Sequence, residues 1–114
     1  MKLWRSFGYA WRGIATGMSQ QLNLKIHLLG VVVVIVAGWY VHISTTEWCI
    51  VVLCFGIVIA AELLNTAIEN LVDLVSPEYN VIAGRVKDIA AGAVLIAAIA
   101  AAIVAALIFI KYIH

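Results

Sequence analysis

Three carboxylates and two amides interrupt a hydrophobic segment of this chain, in Glu62-Leu-Leu-Asn-Thr-Ala-Ile-Glu-Asn-Leu-Val-Asp73. At about 100° per residue, positions 62, 65, 69 and 73 fall on nearly one line along a helix. The eleven residues before Glu62, Val51 to Ala61, contain nothing charged. A carboxylate so deep in an apolar helix is costly unless it faces protein, water or a metal. The stripe therefore predicts a functional site on a membrane helix.

The composition indicates that lipid is the solvent of most of this chain. Of its 114 residues, 66% are hydrophobic and 11% are charged. A soluble domain is usually about half apolar, and one small core could not hide this excess. We therefore predict an all-α integral membrane protein, with no nucleic-acid partner.

Three hydrophobic segments predict transmembrane helices at about residues 24–42, 48–75 and 85–111. A helix over 48–75 would be about 42 Å long at 1.5 Å per residue, whereas the hydrocarbon core is about 30 Å thick. We therefore expect Glu62 just inside the hydrocarbon, and Glu69 and Asp73 at the interface with water.

Residues 2–20 predict an amphipathic helix lying on the membrane surface, because Trp4, Phe7 and Trp11 share one face opposite basic residues. Lysine and arginine also predict the orientation. Six of the seven lie before or at the start of the first span, or in the loop at 76–88 that leads into the third. The positive-inside rule then places the N-terminus and the loop at 76–88 in the cytoplasm.

The loop between the second and third spans supplies further polar groups to this end of the bundle. Pro77 predicts that the second helix ends near Ser76, and Asn80 is a suitable N-cap for the third. Lys87 and Asp88 then lie in early turns, near the acidic stripe. Carboxylate oxygens beside basic side chains suit a Mg-nucleotide, and Glu62 is placed to take a proton from an alcohol dissolved in the bilayer.

Other interpretations use the same residues. Asp73 and Glu78 lie at the water boundary, where they are suited to simple ion pairs with Arg85 and Lys87. Membrane carboxylates also occur in ion and proton pathways, so an oligomeric channel or transporter subunit is the alternative from another functional class. A helper subunit whose acids engage only a partner is a third reading.

The complete pattern resembles the prokaryotic diacylglycerol kinase family, which includes undecaprenol kinases. The shared motifs are E-x-x-N-x-x-x-E-x-x-x-D at 62–73, a short loop with proline, G-R-x-K-D at 84–88, and Gly8-Tyr-Ala-Trp-Arg-Gly13. The resemblance covers nearly the whole chain. It implies a homotrimer in the bacterial cytoplasmic membrane, with active sites between subunits at the cytoplasmic boundary, which phosphorylates a lipid hydroxyl with ATP and Mg²⁺.

The resemblance also implies roles for individual residues. Glu62 corresponds to the general base, Asn65 to a residue that orders the site and orients the substrate, and Glu69 to a metal ligand that also contacts the nucleotide. Gln21 stands where the family usually has a second metal-ligand glutamate. The implied nucleotide contacts are Lys2, where some members have arginine, and Tyr9, Tyr79, Gly84, Lys87 and Asp88.

Two segments of the sequence indicate which lipid the resemblance favours as substrate. The segments Asn23-Leu-Lys-Ile-His27 and Lys87-Asp-Ile-Ala-Ala-Gly-Ala93 resemble the undecaprenol-kinase branch. The diacylglycerol branch often has serine where Ala91 stands. The expected substrate is therefore a polyprenol such as undecaprenol, with diacylglycerol as the alternative.

Overall fold

The computed structural model describes residues 2–20 and 22–113, with only the backbone described at 22 and 23. The described residues are almost entirely helical and contain no strand, which confirms the predicted all-α class. The elements are α1 (Lys2–Gln20), α2 (Leu22–Val41), α3 (Thr45–Val75), α4 (Val81–Phe109) and a terminal 3-10 turn (Ile110–Tyr112).

Three of these helices are long and apolar enough to cross a membrane. The stretches are Leu24–Val41, Thr45–Val75 and Val81–Tyr112. Together with the separate helix α1, they confirm the predicted architecture of three spans preceded by an N-terminal helix. In each span, no more than 28% of the most apolar 18-residue stretch is buried within the chain. The remaining apolar surface therefore has to be covered by lipid or by other copies of the protein.

Helix α3 begins at Thr45, three residues before the predicted span, because a capping box precedes it. The Ser44 hydroxyl accepts from the backbone N–H of Glu47 over 3.1 Å. Glu47 Oε1 in turn accepts from the backbone N–H of Ser44 over 2.9 Å. This reciprocal pair satisfies two N–H groups at the helix start.

Glu47 also connects the start of α3 to the end of the chain. Its Oε1 accepts from the Tyr112 hydroxyl over 2.6 Å, and its Oε2 lies 2.6 Å from Lys111 Nζ. The carboxylate is buried, at 7% exposure, so the neighbouring cation and hydroxyl compensate for its loss of water. This cluster holds the α2–α3 turn and the chain end together, at the opposite end of α3 from the acidic stripe.

The connection between α3 and α4 matches the prediction made from Pro77 and Asn80. Helix α3 ends at Val75, and the N–H of Ser76 still bonds to the carbonyl of Val72 over 2.7 Å. The Asn80 side chain accepts from the backbone N–H groups of Ile82 and Ala83 over 2.8 and 3.3 Å, which confirms it as the N-cap of α4. Lys87 and Asp88 consequently lie in the second turn of α4.

Helix α3 is the central element, because α1, α2 and α4 all pack against it. Helix α1 approaches α3 closely at Gly17, which is buried. A Cβ at Gly17 would lie 2.5 Å from Leu63 Cδ2, so only glycine fits there unless Leu63 moves. Further along, Asn70 Nδ2 donates to Gln20 Oε1 over 3.1 Å. The C-terminal half of α1 therefore lies against the part of α3 that carries the stripe.

Candidate active site

Glu62 is the most deeply buried charged residue of the described chain, at 2% exposure. Its Oε1 lies 3.0 Å from His27 Nε2 on α2. Its Oε2 is buried and has no hydrogen-bond partner among the described residues. An ionisable oxygen without a partner in an apolar bundle is costly. The site is therefore arranged so that one carboxylate oxygen is held and the other is available.

Asn65 lies one turn further along the same face of α3. Its Nδ2 donates to Glu69 Oε1 over 2.9 Å, while its Oδ1 is buried and unpartnered among the described residues. Side chains three residues apart on a helix are neighbours, about 5–6 Å apart at Cβ. Glu62 and Asn65 thus each carry one free buried acceptor on neighbouring positions of the helix, an arrangement suited to a ligand that brings a donor or a cation.

Glu69 is the part of the stripe best suited to Mg²⁺. It is partly exposed, and only its Oε1 is engaged by Asn65. Magnesium is commonly bound by one or two carboxylates, with water and substrate phosphate completing its six ligands. Within the described ranges, no three His, Cys, Asp or Glu side chains form a group able to hold a metal on their own. The donor set therefore fits a metal that arrives with phosphate. The other predicted ligand, Gln21, lies outside the described residues.

Four of the predicted nucleotide contacts line one pocket where α3 ends and α4 begins. This pocket has a volume of about 230 Å³ and also includes Asp73; the four contacts are Tyr79, Gly84, Lys87 and Asp88. Small-molecule sites usually occupy roughly 300–1,000 Å³. The pocket of a single chain is therefore suited to part of a nucleotide, and the remainder would need further walls.

Lys87 and Asp73 form an ion pair across this pocket, with Lys87 Nζ 2.5 Å from Asp73 Oδ1. The sequence analysis had allowed Asp73 to pair with either Arg85 or Lys87, and in the structure its partner is Lys87. Both side chains are substantially exposed, at 38% and 62%. Exposed pairs of this kind are weak because water screens them, so Lys87 can leave Asp73 for a stronger anionic ligand at little cost.

The two predicted nucleotide contacts on α1 are not among the residues lining this pocket. Tyr9 is exposed, and its ring lies 5.0 Å from the guanidinium carbon of Arg12. Lys2 is exposed as well. A different groove, of about 460 Å³, lies between α1 and α3. Its lining residues include Arg12, Gly17 and Asn70.

His27 is the site residue whose role sequence reasoning missed. Its segment entered the interpretation only as a mark of the substrate branch. A signal was present, because His27 and Glu62 are both polar groups inside predicted spans, and such groups usually pair with each other. The pairing could not be derived from sequence alone, since it depends on the relative positions of α2 and α3.

A family model described as prokaryotic diacylglycerol kinase matches residues 8–109. The undecaprenol kinase of Bacillus subtilis is 38% identical over 109 residues, which cover 96% of this chain and 89% of that protein.

Two proteins named diacylglycerol kinase are also similar. The one from Synechocystis sp. is 45% identical over 100 residues, covering 87% of this chain but 57% of that protein. The one from Escherichia coli is 29% identical over 99 residues, covering 87% of this chain and 81% of that protein. Since the family model spans both the stripe on α3 and the pocket at the start of α4, the chain belongs to the prokaryotic diacylglycerol kinase family.

Proposed function

We propose that this protein transfers the γ-phosphoryl group of ATP, with Mg²⁺, to the hydroxyl of a membrane lipid at the cytoplasmic face of the bacterial inner membrane. Membership of the family makes the protein a lipid kinase. The choice of nucleotide, metal, lipid and membrane face is our proposal, as are the roles of the individual residues.

The observation that carries the proposal is the free Oε2 of Glu62. This oxygen is buried and unpartnered among the described residues, and it lies in a helix able to span the membrane. A water-soluble substrate would have to leave water to reach it, whereas a lipid alcohol is already dissolved in the bilayer. A hydroxyl donating to Oε2 would satisfy the orphaned acceptor and place its proton next to a base.

The proposed reaction is one in-line displacement. The lipid oxygen forms a bond to the γ-phosphorus as its proton passes to Glu62 Oε2, and the bond from that phosphorus to the β–γ bridging oxygen breaks. The products are a lipid phosphate and ADP, and Glu62 then returns its proton to water. Positioning and charge neutralisation supply most of the rate in such transfers, so no covalent enzyme intermediate is needed.

The water-facing half of the site would bind the nucleotide. When bound, Mg²⁺ neutralises phosphate charge, and Glu69 would hold it, with Gln21 as a second, uncharged ligand. Lys87 would leave its ion pair with Asp73 and bind phosphate oxygens, next to Asp88, Gly84 and Tyr79. Lys2 and Tyr9, both on α1, would supply the remaining contacts to the nucleotide.

We further propose that the active unit is a homotrimer with sites between subunits. Three observations support this. Most of the apolar surface of each span is exposed in the single chain. Helix α4 is rich in alanine, which allows close helix packing in membranes. The pocket at Lys87 is small, and neither Lys2 nor Tyr9 lines it.

The excess of lysine and arginine at one end of the predicted bundle supports our proposal that the N-terminus lies in the cytoplasm.

Undecaprenol is the lipid that we favour. The Bacillus subtilis relative, which aligns over 96% of this chain, is named undecaprenol kinase, and residues 23–27 resemble that branch. Diacylglycerol is the second candidate, because the Synechocystis relative named diacylglycerol kinase has the higher identity, 45%.

Purified protein in mixed micelles tests the proposal. The micelles would contain undecaprenol, diacylglycerol or neither, and would receive ATP labelled at the γ-phosphate together with Mg²⁺. We expect label in the lipid fraction, with undecaprenol the better acceptor. Flux of ions across liposomes without lipid-dependent consumption of ATP would instead favour the channel or transporter reading.

A further inference from the structure

We propose that His27 is a positioning residue for Glu62, which holds one carboxylate oxygen so that the other faces the lipid hydroxyl. This inference rests on the proposed function. It assigns His27 no contact with the substrate, and it predicts that the catalytic rate depends on an imidazole supplied by a different helix.

The geometry of the pair separates the two carboxylate oxygens by role. His27 Nε2 lies 3.0 Å from Glu62 Oε1, whereas Oε2 has no partner among the described residues. A glutamate side chain has three rotatable bonds, and an isolated one would sample several directions. One fixed contact from α2 restricts the Glu62 side chain on α3, so that the free oxygen keeps one direction.

Nothing else near Glu62 in the described part of the chain can take over this role. The Thr66 hydroxyl donates to the main-chain carbonyl of Glu62 over 3.0 Å and leaves the carboxylate untouched. The Asn65 amide is used by Glu69. Among described residues, no other lysine, arginine or histidine nitrogen lies within ion-pair distance of this carboxylate. Loss of the imidazole would thus leave both oxygens without an anchor.

The surroundings of His27 strengthen the contact. The ring also lines an apolar cavity of about 320 Å³ between α2, α3 and α4, with Val31, Val58 and Ala98 among its walls. The side chain of His27 is 26% exposed and that of Glu62 is 2% exposed. Electrostatic contacts are stronger in such a medium than in water. The cavity also accommodates an apolar replacement, so His27→Leu removes the polar contact while preserving most of the packing.

The test compares His27→Leu with His27→Gln, because glutamine keeps a side-chain N–H donor and leucine does not. For His27→Leu we expect kcat to fall about 10- to 100-fold, the loss typical when the hydrogen-bonding partner that orients a metal-binding side chain is removed. The KM for ATP should stay within about twofold, because His27 does not touch the nucleotide. His27→Gln should recover most of the lost kcat. His42→Asn, at the turn before α3, is the control expected to leave kcat unchanged.

A double variant separates positioning from simple destabilisation. If His27 acts through Glu62, then His27→Leu should cause no further loss in a Glu62→Gln background, because effects of residues acting as a unit are not additive. A thermal melt in detergent and ATP binding would be measured for each variant. Wild-type kcat in His27→Leu would overturn the inference, as would loss of kcat in His27→Leu that His27→Gln does not relieve at unchanged melting temperature.

The same experiment distinguishes failure of this inference from failure of the proposed function. If the wild-type protein labels no lipid, the proposed function fails. If the wild type labels lipid and Glu62→Gln does not, but His27→Leu retains full kcat, only the role of His27 fails.

Discussion

Asn65 Nδ2 donates to Glu69 Oε1 over 2.9 Å, so the residue next to the proposed base is bonded to the proposed metal ligand. Glu62 is buried and Glu69 is partly exposed, and Asn65 lies between them on one face of α3. The stripe therefore connects a buried acceptor to a partly exposed one. In a phosphoryl transfer from a soluble nucleotide to a membrane alcohol, this bond would fix the position of the metal ligand relative to the base.

Replacing Asn65 with alanine removes this bond while Glu69 keeps its charge. We expect the Mg²⁺ concentration for half-maximal rate to rise several-fold and kcat to fall, because an exposed carboxylate without its donor is less well oriented. A Mg²⁺ titration of lipid phosphorylation at saturating ATP measures both effects.

Asn70→Ala is the matched control for this variant. Asn70 is on the same helix and also donates through Nδ2, but to Gln20 on α1. Its replacement should leave the Mg²⁺ requirement close to that of the wild type. Equal Mg²⁺ curves for Asn65→Ala and the wild type would contradict a positioning role for Asn65.

Replacing Glu69 with glutamine makes the complementary change. The glutamine carbonyl can still accept from Asn65, but the negative charge is lost. Since Mg²⁺ prefers charged carboxylate ligands, we expect a rise in the Mg²⁺ requirement of about tenfold or more, larger than for Asn65→Ala. If the Mg²⁺ titration does not move, Glu69 is not a metal ligand.

Replacing Lys87 and replacing Asp73 should affect the KM for ATP to different extents, although the two residues form one ion pair. Lys87→Met should raise the KM for ATP at least tenfold, because a charge next to the phosphates is lost. Asp73→Asn should change the KM for ATP far less, and should lower the melting temperature only slightly, because water weakens an exposed ion pair. Both variants can be compared in one ATP titration. A larger rise in KM for Asp73→Asn than for Lys87→Met would reverse the assigned roles.

The Glu47 cluster predicts a change in stability without a change in chemistry. Glu47→Ala removes the half of the capping box in which the Glu47 carboxylate accepts from the backbone N–H of Ser44, together with the contacts to Lys111 and Tyr112. The Ser44 hydroxyl still accepts from the backbone N–H at position 47, but the Ser44 N–H and the Tyr112 hydroxyl lose their acceptor, so the melting temperature in detergent should fall clearly. The KM for ATP should not change, because the cluster lies at the other end of α3.

Glu47→Gln provides the graded comparison, because glutamine retains an oxygen for Ser44 and Tyr112 but loses the charge facing Lys111. Its melting temperature should lie between those of the wild type and Glu47→Ala. A melting temperature for Glu47→Ala equal to that of the wild type would show that the cluster contributes nothing to stability.

Much of the fold could be predicted because it depends on local patterns. Pro77 and Asn80 determine where α3 ends and α4 begins by excluding and supplying backbone hydrogen bonds, and the structure confirms both. The spans follow from long, predominantly apolar runs. The early start of α3 was missed because the capping box at Ser44 and Glu47 lies in a polar segment that hydropathy does not assign to a span.

Contacts between helices could not be predicted in the same way. The contact of His27 with Glu62 depends on how α2 and α3 pack, and sequence spacing carries no information about it. Among the alternatives left open for Asp73, the choice of Lys87 rather than Arg85 depends on the geometry of the α3–α4 turn. The roles of Lys2, Tyr9 and Gln21 stay predictions, because they depend on how α1 and other copies of the chain complete the site.

The central claim is that Glu62 accepts the proton of the lipid hydroxyl, and Glu62→Gln tests it most directly. The measurement is the initial rate of label transfer from ATP to undecaprenol in mixed micelles, with ATP binding and the thermal melt followed on the same preparation. We expect the variant to fold, to bind ATP as the wild type does and to lose nearly all transfer, about 10²-fold or more, as for removal of a general base. Transfer within a few-fold of the wild-type rate would contradict the account.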